Sequence, residues 1–156
     1  MGIRLRVLAL GFAVLMAASP AEAKNLNGRV GFGLNVLNFT HAYALSLKYF
    51  HDPLVASAFQ FGFSTVTETF LIGGRLSRNV VLEENLNLYL AIAGMFQTSK
   101  GTPTGTGVEF DGLFGGEFFM AGLPNLAFQF DVGVGLRTLG GTSFQSVVGA
   151  GVHYYF

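Results

Sequence analysis

Between residues 126 and 137 the chain alternates without interruption. Leu126, Phe128, Phe130, Val132, Val134 and Leu136 share one parity, and Ala127, Gln129, Asp131, Gly133, Gly135 and Arg137 share the other. Successive side chains of a strand point to opposite faces. The segment therefore has one wholly apolar face and one face of small, polar and charged groups, a division that a helix of 3.6 residues per turn would scramble. The same division recurs over residues 28–36, 42–50, 56–64, 69–77, 85–97, 108–119 and 143–156. In the first of these, Val30, Phe32, Leu34 and Val36 oppose Arg29, Gly31, Gly33 and Asn35. The pattern predicts an all-β chain of eight antiparallel strands. Several segments reach the roughly 9–11 residues that a tilted strand needs to cross a hydrocarbon layer.

Turn chemistry separates the segments. The breaks include Asn38-Phe39-Thr40, His51-Asp52-Pro53, Arg78 to Glu84, Ser99 to Gly107, Ala121 to Asn125 and Gly140-Gly141, where Gly, Pro, Asn and Asp supply tight backbone geometry. Residues 1–23 read differently. Arg4 and Arg6 precede an apolar run from Val7 to Ala18, and Ala21-Glu22-Ala23 follows Pro20. A short basic region, an apolar stretch too short for a spanning helix and an A-x-A motif mark a cleaved secretory signal peptide. The expected organisation is a signal peptide over 1–23 and one barrel domain over 24–156.

Eight charged residues fall within the predicted strands: Arg29, Lys48, Arg75, Glu109, Asp111, Glu117, Asp131 and Arg137. All share the parity of the small residues, and none lies on the apolar parity. A soluble barrel would put the charges outside, whereas a membrane barrel inverts the arrangement. Inversion is favoured by volume. The chain carries 22 Gly and 17 Phe, and the Gly cluster with the charges. A narrow eight-stranded lumen has room for few side chains, while rows of Phe and Leu meet no volume limit against lipid. An open sheet edge in lipid leaves backbone groups unpaired at several kcal/mol each, so the strands must close. The fold expected is an eight-stranded antiparallel up-and-down transmembrane β-barrel. Four basic and four acidic groups then share its lumen, where unpaired charge is costly, and a salt-bridge network closing the barrel is expected.

The architecture resembles the small bacterial outer-membrane barrels of the OmpA and OmpX type over residues 24–156. The ending Val152-His153-Tyr154-Tyr155-Phe156 is similar to the signal by which such barrels are handed to the outer-membrane assembly machinery, with Val152, Tyr154 and Phe156 at its alternating apolar positions. The resemblance implies residence in the bacterial outer membrane of a Gram-negative cell, contact with outer-membrane lipid and transient engagement of the barrel-assembly machinery. The chain departs from the family in having short loops and no Trp, which argues against adhesion through long loops.

A structural or envelope-interaction role without catalysis follows, with no cofactor and no metal. There is no Cys, and the net charge is zero, which excludes thiolate metal sites and a strongly basic nucleic-acid surface. Gly31-Phe32-Gly33 and Gly133-Val134-Gly135 lie inside alternating strands and lack the strand–turn–helix setting of a phosphate loop. One alternative is a lipid-modifying enzyme with His41 at the extracellular rim, near Ser64, Glu68 and Ser143. A narrow, leaky pore is another. A soluble lipid-binding barrel is a third, opposed by the facing argument and by the missing G-x-W signature of lipocalins.

Overall fold

The computed structural model describes residues 26–37, 42–65, 68–101 and 104–156. The predicted signal peptide and its cleavage motif lie outside the described residues, as does His41. Eight strands follow one another: β1 (Val30–Leu37), β2 (Ala42–Phe50), β3 (Val55–Ser64), β4 (Thr69–Leu82), β5 (Leu86–Ser99), β6 (Gly105–Met120), β7 (Leu123–Arg137) and β8 (Ser143–Tyr155). Each pairs antiparallel with the next, and β1 pairs with β8 to close the ring. Tracing cross-strand partners from Tyr155 through Gly31, Lys48, Ala58, Arg75, Ala93, Asp111 and Gly135 returns to β8 at Gln145, ten residues away. That stagger over eight strands implies a tilt of about 40° at ordinary strand spacing and rise.

The facing is inverted relative to a soluble protein. Phe32, Leu47, Phe59, Ile92, Phe110, Phe128, Phe130 and Val132 are exposed, whereas Lys48, Arg75, Glu109, Asp111, Glu117 and Asp131 are buried. The apolar parity forms a continuous outer shell, and the small and ionic parity lines the axis. Glycine makes this possible. A Cβ on Gly115 would lie 2.5 Å from the Tyr89 ring, and one on Gly73 would lie 2.6 Å from the Gly94 carbonyl oxygen. Placing a charge on the outer shell at mid-height should prevent stable insertion. Val132→Arg is expected to cost about 2–4 kcal/mol at the hydrocarbon midplane, read from urea unfolding in phospholipid vesicles, while Gln129→Arg in the lumen would leave the shell intact.

Several strand ends differ from the sequence reading. β4 runs to Leu82 rather than ending at Ser77, because a bulge between Asn79 and Val81 shifts its register against β5. A bulge adds one residue and flips the parity beyond it, so alternation fails there although pairing continues to Leu82 and Asn87. Arg78, assigned from sequence to a turn, is therefore an exposed residue of β4 on the outer parity. β7 begins at Leu123 and includes Pro124, a residue that reads as turn because it donates no ladder hydrogen bond. Arg29, assigned to the first strand, lies just before it.

The connections between strands are on average shorter at the end bearing Phe156. They span 51–54, 83–85 and 121–122, against 38–41, 65–68, 100–104 and 138–142 at the other end. In bacterial barrels short turns are periplasmic. Asp52 tightens the first of them by accepting hydrogen bonds from the backbone N–H of Leu54 (2.7 Å) and Val55 (2.9 Å). Gly122 turns the β6–β7 connection with φ of 81°, a region open to glycine at little cost.

Candidate functional site: the charged lumen

The stagger sorts the inward side chains into tiers. At the end bearing the short turns, Leu26, Phe50, Ala56, Phe119, Ala127 and Tyr155 form a packed apolar floor, none more than 1% exposed. Phe50 and Phe119 occupy the ends of β2 and β6 on the inward parity. Their rings lie 5.7 Å and 5.8 Å from that of Tyr155.

Above the floor, Lys48 of β2 reaches Glu117 of β6, with Nζ 3.1 Å from both carboxylate oxygens. The Tyr155 hydroxyl also donates to Glu117. Lys48 stands over the Phe50 ring at 4.9 Å and the Tyr89 ring at 5.5 Å, so its charge meets a carboxylate and two aromatic faces. His153 lies beside this tier, with Nε2 3.0 Å from the Ser46 hydroxyl.

The next tier centres on Asp131 of β7. Arg75 of β4 meets it in a two-pronged contact, Nη1 donating to Oδ2 at 2.8 Å and Nη2 to Oδ1. Tyr89 donates to Oδ1 and Gln129 to Oδ2, both at 2.8 Å. Arg75 also lies 5.1 Å from the Tyr89 ring centre. Tyr89 thus touches both ionic tiers. Such fork geometry with every carboxylate lone pair occupied offsets the desolvation of a buried ion pair.

Near the opposite mouth the ionic contacts are looser. Arg137 donates to the Gln97 side chain at 2.9 Å and stands 3.8 Å from Glu109. Gln97 and Gln145 donate to Glu109 at 3.3 and 2.7 Å. Arg137 keeps 30% of its side chain exposed. Two of the eight expected lumen charges stand outside these pairs. Asp111 makes no salt bridge among the described residues, and its Oδ1 has no hydrogen-bond partner there. Arg29 donates to the carbonyl oxygens of Tyr155 (3.1 Å) and Phe156 (3.3 Å) and to Asn125. It clasps the β1–β8 seam instead of meeting a carboxylate.

Sequence reasoning gave the aromatic and amide members of these tiers no part in the network. Tyr89 and Tyr155 lie on the inward parity of their strands, as do Gln97, Gln129 and Gln145, and that parity was the signal available for them. Of the three positions in the C-terminal assembly pattern, Tyr154 and Phe156 are exposed and Val152 is half-buried. The rim arrangement around His41 has no described geometry. Ser64 is buried, while Glu68 and Ser143 are exposed.

A closed ring with an apolar outer shell and ionic groups along its axis defines the class of small transmembrane β-barrels. Solved structures of similar fold include Neisserial surface protein A, 14% identical over 82% of this chain and 94% of that one, with a TM-score of 0.50. The designed transmembrane barrel TMB2.3 is 10% identical over 86% and 97% of the two chains, with a TM-score of 0.51. The outer membrane protein Ail of Yersinia pestis, solved in a phospholipid nanodisc, is 14% identical over 83% and 100%, with a TM-score of 0.41. No family model matches the chain, and no curated protein matches it. At these identities the likeness is one of fold.

Proposed function

We propose that the chain is an integral barrel of the bacterial outer membrane with a structural or envelope-interaction role, its lumen closed and without catalysis. The observation that carries this reading is the combination of an apolar outer shell with two buried ionic tiers over a packed aromatic floor. The shell matches lipid. The two buried ionic tiers match a seal, because ion pairs whose carboxylates also accept from Tyr155, Tyr89 and Gln129 leave little to gain from solvent. Eight strands enclose no wide aqueous channel. The exposed, alternating Tyr154 and Phe156 support delivery by the barrel-assembly machinery.

The full chain is expected to stay in the membrane pellet through carbonate washing. Refolded into planar bilayers, it should show no unitary conductance. Removing both floor rings in Phe50→Ala/Phe119→Ala should open no measurable leak, since the Lys48–Glu117 and Arg75–Asp131 tiers lie above them. Release by carbonate would overturn the membrane reading. Steady ion conduction by the unaltered chain would overturn the closed lumen and favour the narrow pore.

A further inference from the structure

The outer shell is not smooth. Gly74, Gly94 and Gly112 lie on the outward parity of three adjacent strands. Gly74 and Gly94 are direct cross-strand partners, and Gly112 faces Ile92. These glycines differ from those of the lumen. A Cβ on Gly112 would meet nothing within 4 Å, one on Gly74 would come no closer than 3.9 Å, and one on Gly94 would touch the Phe110 ring at 3.5 Å. Interior packing therefore does not require them, yet they cut a notch of about 760 Å³ into the greasy face. The notch continues into a second hollow of about 280 Å³, sharing Leu76 and Ile92 with it.

At the foot of that second hollow stands Arg78. It is the one charged side chain on the outward parity of any described strand, it is exposed, and it forms no salt bridge among the described residues. Its partner across the sheet is Val55, the first residue of β3, so it sits level with the short-turn end of the barrel. A charge facing lipid is costly unless its long stem carries the guanidinium to the interface. Arginine there meets phosphate with a planar fork of donors.

We propose that this face seats one anionic glycerophospholipid of the periplasmic leaflet, its phosphate on Arg78 and an acyl chain in the notch made by Gly74, Gly94 and Gly112. The proposal rests on the membrane reading above and adds a specific lipid site to it. The charge selects the headgroup, and the notch selects a chain lying flat against the wall. Elsewhere on the outward parity of the described strands a lipid meets rows of Phe and Leu and no cation.

The test folds the full chain in detergent micelles doped with dioleoylphosphatidylglycerol or dioleoylphosphatidylcholine and counts retained lipid by native mass spectrometry. One phosphatidylglycerol should be held, with a preference of about fivefold over the neutral lipid, the scale set by one basic residue at an anionic surface. Arg78→Gln should abolish the preference, and Gly94→Leu should abolish retention of both lipids. Gly112→Val, which meets no neighbour, is the second groove variant should Gly94→Leu fail to fold. Equal retention of the two lipids by the unaltered chain overturns the proposal. So does an unchanged preference in Arg78→Gln, or undiminished retention in the folded groove variant. A chain that shows no lipid preference but resists carbonate fails this proposal alone, whereas carbonate release fails the membrane reading beneath it.

Discussion

Arg75→Met should destabilise the folded barrel by about 3–5 kcal/mol, and the pair Arg75→Met/Asp131→Leu should recover most of that loss. Asp131 lies 3% exposed in the middle of the lumen. Remove its forked partner and the carboxylate keeps only the neutral donors Tyr89 and Gln129, both at 2.8 Å. Two neutral hydrogen bonds cannot replace an ionic fork for a charge held away from water. Removing both charges takes away the attraction and the desolvation penalty together, and residues of similar volume keep the lumen filled. Urea unfolding in phospholipid vesicles, run as a double-mutant cycle, reads the coupling. A loss below about 1 kcal/mol for the single variant, as for an exposed pair, would show that the tier is hydrated and the seal is not dry.

The second large effect is steric. Gly133→Val should fail to give a stable barrel, losing about 3 kcal/mol or more through overpacking. A Cβ there would strike the carbonyl oxygen of Gly112 and lie 2.9 Å from the Leu113 side chain. The first obstacle is backbone of the neighbouring strand, which no rotamer change can move. Gly112→Val is the matched control. It puts the same side chain on β6 facing outward, where a Cβ meets nothing within 4 Å, and its effect should stay within about 0.5 kcal/mol. Valine favours strands, so propensity cannot account for a difference between the two. Equal stabilities would mean that the ring relaxes around added volume and that glycine does not set its bore.

The period-two rhythm made the strand count, the closed ring and the inward side of each strand legible, because lipid outside and a narrow bore inside impose opposite demands on alternate residues. Local features that break the rhythm were opaque. The bulge at Asn79 and Val81 hid the last part of β4 and with it the outward position of Arg78. Pro124 disguised the start of β7. The choice of ionic partners was not legible either. Lys48 meets Glu117 and Arg75 meets Asp131 across 69 and 56 residues of sequence. Which inward residues share a height depends on the ten-residue stagger, which accumulates over eight registers and is written in no single segment. Parity alone counts Asp111 and Arg29 among the network. It cannot reveal that one stands outside the ion pairs found among the described residues and the other serves the seam.

The stagger also bears on the order of events in folding. Each fully buried ion pair joins a strand from the first half of the chain to one from the second, β2 to β6 and β4 to β7. No local hairpin can satisfy either charge, and loop closure over such separations comes late. Contacts absent from the transition state act on how fast a protein comes apart. The ionic tiers therefore set the lifetime of the assembled ring, while hairpin formation sets the pace at which it is made.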